Sequence, residues 1–411
     1  MRSVLWSPLV KTLNSKLIIT RWKDRLLTVL FSSQEAVEAG LEDSASTLGN
    51  IYIGKVSRVV KNLNAAFVDY GEGRSGYFSL SDNPVVLFAD GRPRTLKGGD
   101  EIIVQVARDA VRTKDPVLTA NLTFAGRYAV LTAGKPVIGF SSKITDRAWK
   151  EGIRPRLEEL TRGTAGLIVR TNAYGREELL EKEVRTLMET CSQVLERGRY
   201  RTCYSLLYRA EPEYRKTIRS CPAGTLEEVV TDDAQVYEEL EQYFSSCEPE
   251  QRCPVRFYED PLVSLSSLYS LETVMEQACQ KRVWLRSGGY LVIEYTEAMT
   301  VIDVNTGKYA GKKNQEDTIR MTNLEAAKEI SRQLRLRNLS GIIMVDFIDM
   351  KRQEDREALM DSLRTFVLAD PVKTTVVDMT ALNLVEITRK KEKKPLWEQI
   401  AQAGKEKGET Q

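Results

Sequence analysis

Asp303 and Asp346 are the two side chains whose type and setting first suggest chemistry. Each is a lone carboxylate in an apolar run that reads as a buried strand, "AMTVIDVNTG" at 298–307 and "GIIMVDFIDM" at 341–350. Burying an ionised carboxylate is costly unless it is paired or bound to a cation. Two of them brought together repel, so either one carries a proton or a cation lies between them. The chain has no histidine, which excludes Ser-His-Asp and Cys-His nucleophiles and every histidine metal ligand. Its six cysteines form no CxxC pair, which argues against a zinc knuckle or a thioredoxin-type site. Oxygen ligands alone suit Mg²⁺, with Mn²⁺ as the alternative. On residue types alone, a second reading stays open: aspartates that cap loops or pair with nearby arginines. Asn305 lies two residues beyond Asp303 and so shares its face of a strand, where it could orient a carboxylate or a substrate. Asp349 reads as the N-cap of a helix beginning near 351.

These residues need elements to position them. Between them runs "TNLEAAKEISRQLRLRNLS" (322–340). Thr322 and Glu325 have the spacing of a capping box. Leu324, Ala327, Ile330, Leu334 and Leu336 supply an apolar stripe, and Asn338 a C-terminal stop. Strand, helix and strand in this order predict a βαβ crossover with parallel strands. Both aspartates then fall near C-terminal strand ends, where ligands of open α/β sheets bind.

The remainder is a 411-residue chain, 42% hydrophobic and 29% charged, with a net charge of +2. That allows two to four domains, and any basic surface must be local. No apolar run is long enough for a membrane span and no signal-peptide pattern opens the chain, so a cytoplasmic location with reduced thiols is expected. The segment 35–47 reads as a polar connection. From Gly49 to about Asn121 short alternating strands predict a small OB-type barrel. Phe67, Tyr70 and Tyr77 are candidate stacking rings there, although rings such as Phe67 and Phe78 could equally fill the barrel core. "AGLIVRTNAYGREEL" ends a strand at Arg170 and Thr171 just ahead of a helix, which could form an anion site or an ordinary solvated strand end. "REELLEKEVRTLMETCSQVLERG" predicts an amphipathic helix. The Lys-, Glu- and Gln-rich stretch after Pro395 reads as a frayed helix or disorder.

The stretch "GGYLVIEYTEAMTVIDVNTGKYAGKKNQEDTIRMTNLEAAKEISRQLRLRNLSGIIMVDFIDM" (288–350) resembles the catalytic region of the ribonuclease E/G family, and the resemblance extends over about 49–350 and more weakly over 351–390. It implies a Mg²⁺-dependent endoribonuclease that cuts single-stranded RNA, acts in rRNA 5′-end maturation and mRNA decay, and leaves 5′-phosphate and 3′-hydroxyl ends. The aspartates of the family's "IDxN" and "xDFIDM" stretches hold the metal; they correspond to Asp303 and Asp346, with Asn305 the "IDxN" asparagine. "GNIYIGKVSRVVKNLNAAFVDYGEGRSGYFSL" resembles the S1 RNA-binding domain, with Phe67 and Tyr77 at its stacking positions and Lys114 at a basic one. Gly126, Val130, Arg170 and Thr171 match the family's pocket for an RNA 5′-monophosphate.

The implied α/β architecture comprises an RNase H-like subdomain (1–35 and 213–279), an inserted S1 barrel (36–121), a 5′-sensor region (122–212), a DNase I-like subdomain (280–390) and a tail (391–411). The short form looks G-type. The family's zinc-linking CPxCxG motif is not found after Pro395, so no zinc is expected and any homo-oligomer would use other surfaces. The competing reading is a non-catalytic S1-type RNA-binding protein, against which the carboxylate pair stands.

Overall fold

The computed structural model describes residues 14–43, 46–71, 73–110, 115–134, 136–222, 224–307 and 315–405. The chain divides into two compact units: one runs to Asp43 and resumes at Glu213, and the other spans Ser44–Pro212. None of the described helices is long and apolar enough to cross a membrane.

The first unit begins with β1 (Ser15–Trp22), β2 (Arg25–Ser32) and β3 (Glu35–Leu41), joined by two-residue turns. Lys23–Asp24 and Ser33–Gln34 all have positive φ, the type I′ geometry that matches strand twist. β3 corrects the expected polar connection. Ala36, Ala39 and Leu41 are buried, and these small apolar residues suffice to hold a strand against the core.

In the second unit β4 (Ile51–Val60), β5 (Ala65–Gly71), β6 (Arg74–Ser79), β7 (Glu101–Arg108) and β8 (Val117–Thr119) close into a five-stranded barrel, sealed by the β4–β7 pairing. Its interior holds Val56, Ala66, Val68, Tyr70, Phe78, Ile102, Val104 and Leu118. Next come β9 (Thr123–Ala125), β10 (Ala129–Ala133), β11 (Ile138–Phe140), α1 (Arg147–Thr161), β12 (Ala165–Val169), α2 (Glu177–Gly198) and β13 (Leu206–Tyr208). Strands β11-β12-β10-β9 form a small sheet, while β13 joins the barrel strand β4. Helix α2 buries Leu180, Val184, Cys191 and Val194, part of its sequence stripe.

The chain then returns to the first unit with α3 (Glu213–Ser220), β14 (Leu226–Thr231), α4 (Ala234–Ser246), β15 (Val255–Phe257), α5 (Leu265–Leu268) and α6 (Leu271–Cys279). These complete a five-stranded sheet, β15-β14-β1-β2-β3. It continues with β16 (Arg282–Trp284), β17 (Tyr290–Tyr295), β18 (Met299–Asn305), α7 (Gln315–Leu336), β19 (Gly341–Asp346), α8 (Gln353–Val367), β20 (Thr374–Met379), β21 (Leu384–Arg389) and α9 (Leu396–Lys405).

The six-stranded sheet β16-β17-β18-β19-β21-β20 has α7 and α8 on one face, with Ala327, Ile330, Leu334, Leu359 and Leu363 packed on Ile293, Ile302, Ile343 and Val345. The side chains between those core positions point to the opposite, open face.

Three local expectations change here. Thr322 is 3% exposed in the middle of α7 and caps nothing, because the helix already runs from Gln315. Asp349 is not an N-cap either, since α8 starts at Gln353 after Arg352. The tail carries α9, docked through buried Leu396 and Ala403, because its apolar residues recur at helical spacing. Asn338 does end α7 with φ of 50°, the left-handed stop that asparagine tolerates.

Candidate functional site

Asp303 and Asp346 lie directly opposite each other. β18 and β19 are parallel neighbours whose register pairs Ile302 with Val345 and Asp303 with Asp346. The strands are half-buried, not fully buried: Thr300, Ile302 and Val304 face the helices, while Val301, Asp303 and Asn305 face outward. Both carboxylates therefore project from the open face, correcting the expectation of a buried strand. Partial desolvation, and then the negative charges of Asp303 and Asp349, push the Asp346 carboxyl above its ordinary pKa. Asn305 Nδ2 donates to Asp303 Oδ2 at 2.7 Å and fixes that carboxylate. Asp349 accepts from Asn383 Nδ2 at 3.1 Å. Just beyond, Gly307 has φ of 63°, and a Cβ there would meet the Gly288 carbonyl oxygen at 2.2 Å, so the turn requires glycine.

The donor set fits Mg²⁺. Among the described residues no group of three or more His, Cys, Asp or Glu side chains is arranged to hold a metal. Magnesium does not need one, because it keeps most of its waters and uses one or two carboxylates. The repulsion from Asp303 and Asp349, which adds to burial in raising Asp346, is what a divalent cation would relieve.

On the barrel, Arg58, Phe67 and Tyr77 form one cross-strand row on β4, β5 and β6. The Phe67 and Tyr77 rings meet edge to face at 6.2 Å, and the Arg58 guanidinium lies 4.5 Å from the Phe67 centroid. Both rings are half-exposed on the outer surface. Tyr70 corrects the expected stacking set: it is 3% exposed, packed against Tyr52 inside the barrel. The spacing carries a signal, because Phe67 and Tyr70 are three residues apart and fall on opposite faces of a strand. Phe78 likewise fills the core. Lys114 lies outside the described residues. Arg58 was missed by sequence reasoning, since only register brings it over Phe67.

In the small sheet, Arg170 follows β12, and its Nη1 donates to the Gly126 carbonyl at 2.9 Å. Thr171 and Ser141 share a hydroxyl hydrogen bond of 3.0 Å. The helix expected directly after Arg170 is a single 3-10 turn, Thr171–Ala173, and α2 starts only at Glu177, so the first turn of α2 does not lie at these residues. Val130 on β10 pairs with the exposed Ile168 of β12.

Sequence reasoning missed Glu183. Its carboxylate accepts backbone N–H bonds from Arg127 at 2.7 Å, Tyr128 at 2.7 Å and Ala129 at 2.9 Å. A Cβ on Gly126 would meet that carboxylate at 2.2 Å, which explains the glycine. The turn that presents the Gly126 carbonyl to Arg170 is thus pinned from α2.

The sequence model of the ribonuclease E/G family matches residues 123–392. Ribonuclease G of Escherichia coli is 35% identical over 358 residues, covering 84% of this chain and 73% of that protein. Ribonuclease G of Haemophilus influenzae is 33% identical over 361 residues, covering 85% and 73%. Ribonuclease E of a Nostoc species is 30% identical over 380 residues, covering 90% of this chain and 55% of that longer protein.

Proposed function

This chain belongs to the ribonuclease E/G family, and on that premise we propose that it is a magnesium-dependent endoribonuclease acting on single-stranded RNA. The observation that carries the proposal is the register of Asp303 with Asp346 on parallel strands. These two carboxylates would hold the ion, and Asn305, which donates to Asp303 Oδ2, would keep that carboxylate in place. When bound, magnesium supplies charge neutralisation at the scissile phosphate and lowers the pKa of water at the site. Hydrolysis forms a bond from water oxygen to phosphorus and breaks the P–O3′ bond. The products are a 5′-phosphate and a 3′-hydroxyl, with one water proton ending on the departing oxygen. No histidine is required.

The other groups bind and orient. Phe67 and Tyr77 offer a stacking edge for a base, and Arg58 brings positive charge to the same row. Arg170 and Thr171 would take an RNA 5′-monophosphate against the Gly126 turn and Val130, and favour 5′-monophosphorylated substrates. In this reading the barrel is S1-like, the five-stranded sheet RNase H-like, and the six-stranded sheet with α7 and α8 DNase I-like. The substrates would be rRNA precursors and mRNA in the cytoplasm.

The test is incubation of purified protein with a 5′-monophosphorylated AU-rich single strand, with and without Mg²⁺, mapping product ends beside an Asp346→Asn control. Magnesium-dependent internal cuts with 5′-phosphate ends support the reading. Cleavage that persists in Asp346→Asn would overturn it.

A further inference from the structure

The open face that carries the carboxylates also carries an aromatic ladder for which the site above has no use. β16 pairs with β17 so that Trp284 stands opposite Tyr290, and β17 pairs with β18 so that Tyr290 stands opposite Asn305. One two-residue step back along the strands, the same pairing sets Arg282 opposite Val292, Val292 opposite Asp303, and Asp303 opposite Asp346. Register partners share a face, so all of these side chains project from the open side. Val283, Leu285, Leu291 and Ile293 alternate with them and pack into the core, which settles the orientation.

Trp284 is 65% exposed. Its ring meets Tyr290 at 5.3 Å and 61°, and the Arg282 guanidinium lies 4.6 Å from the Tyr290 centroid and 5.6 Å from that of Trp284. The hairpin is tied to α7. Glu325 of α7 accepts backbone N–H bonds from Arg286 at 2.7 Å and from Ser287 at 3.1 Å. That is the work of the glutamate whose spacing suggested a capping box. Two strand spacings place the Trp284 strand about 10 Å to one side of the Asp303 strand, and one step along it is about 7 Å.

Resting on the reading that a scissile phosphate sits at Asp303 and Asp346, we propose that Trp284, backed by Tyr290 and Arg282, is a base-stacking platform for a nucleotide flanking the cleavage site. An indole face accepts any base, and an adjacent guanidinium supports both the ring and the backbone phosphate. The subsite would therefore contribute affinity with little sequence preference.

The test uses the whole Asp303→Asn chain without added Mg²⁺, so that on the proposed reading little substrate is consumed, and a short AU-rich single-stranded RNA, with binding followed by fluorescence anisotropy. Trp284→Ala should weaken binding roughly 5- to 150-fold, and Trp284→Phe by less than about threefold. The slope of affinity against salt should stay the same, because no charge is removed. With Asp303 restored, the loss should appear in KM. An abasic nucleotide beside the cleavage site should reproduce the loss in the unsubstituted protein and add nothing to Trp284→Ala. Equal affinities, or additive losses, would overturn the platform. So would a change in mass in solution with RNA affinity untouched, which would make the face a protein interface. If the unsubstituted protein cuts no RNA with Mg²⁺ while Trp284→Ala still weakens binding, the catalytic reading fails and Trp284 keeps its base-stacking role with no cleavage site beside it. If cleavage is intact and Trp284→Ala binds normally, only the platform fails.

Discussion

Asp346 stands in register with Asp303, and its carboxyl is raised first by partial burial and then by the charges of Asp303 and Asp349. Replacing either register partner by asparagine keeps the shape and removes the repulsion. Asp303→Asn and Asp346→Asn should each lower kcat by at least about a hundredfold, while RNA binding and thermal stability hold or improve. Single-turnover cleavage beside anisotropy and a melting curve checks this. Wild-type kcat in either variant at limiting Mg²⁺ would remove that residue from the metal site.

Phe67 and Tyr77 lie outside the barrel and Tyr70 inside it, so their alanine variants should fail differently. Phe67→Ala and Tyr77→Ala should weaken RNA binding by about 1–3 kcal/mol with little change in melting temperature. Tyr70→Ala should lose about 3–5 kcal/mol of stability through the cavity it leaves. Urea unfolding and RNA titration on the three proteins separate the two outcomes.

Arg170 contacts the Gly126 carbonyl and leads into Thr171. If it reads a 5′-monophosphate, Arg170→Gln should lower kcat/KM on 5′-monophosphorylated RNA by roughly ten- to a hundredfold. Matched 5′-hydroxyl RNA should be cut almost as before. An equal drop on both RNAs would assign Arg170 to the fold or to general RNA binding.

Glu183 satisfies three consecutive backbone N–H groups from α2. Glu183→Ala would orphan them at a cost of about 1–3 kcal/mol or more, and Glu183→Gln, with one acceptor oxygen left, should cost less. Urea denaturation measures both. Faster amide exchange confined to 127–129 would locate the damage.

Glu38 on β3 accepts from Arg335 at 3.0 and 2.8 Å. Burial by itself would raise its pKa, but the charges of Arg335 and Lys393, with hydrogen bonds from Arg335 and Thr217, outweigh burial and hold it below its ordinary value. A depressed acid stabilises the fold above its unfolded pKa of about 4.3, and that stability is lost as pH falls through the lower folded value. Glu38→Gln should therefore cost about 3 kcal/mol at neutral pH, and the gap to wild type should close on acidification. Unfolding free energies across an acid series would show the convergence, and a gap independent of pH would refute it.

Much of this was written locally. Apolar runs mark β18 and β19 as strands, although the two-residue alternation of their side chains between faces emerged only in the fold, and the helical stripe of Ala327, Ile330 and Leu334 marks α7. The absence of histidine already excluded histidine-based nucleophiles and histidine metal ligands. The same alternation could have separated Phe67 from Tyr70. Elsewhere local patterns misled: Thr322 and Glu325 have capping-box spacing, yet Thr322 is buried in mid-helix and Glu325 holds the Arg286–Ser287 turn.

By itself, then, the sequence determined many of the strands and helices, though not β3 or the docked α9, which residues could bear charge in them, and the family they resemble. Only the tertiary structure decided which residues face one another. The pairing of Asp303 with Asp346, of Arg58 with Phe67, and of Trp284 with Tyr290 depends on strand register. Register is set by burial of whole sheet faces and by packing against distant helices, and a slip of one residue would turn every one of these side chains to the other side.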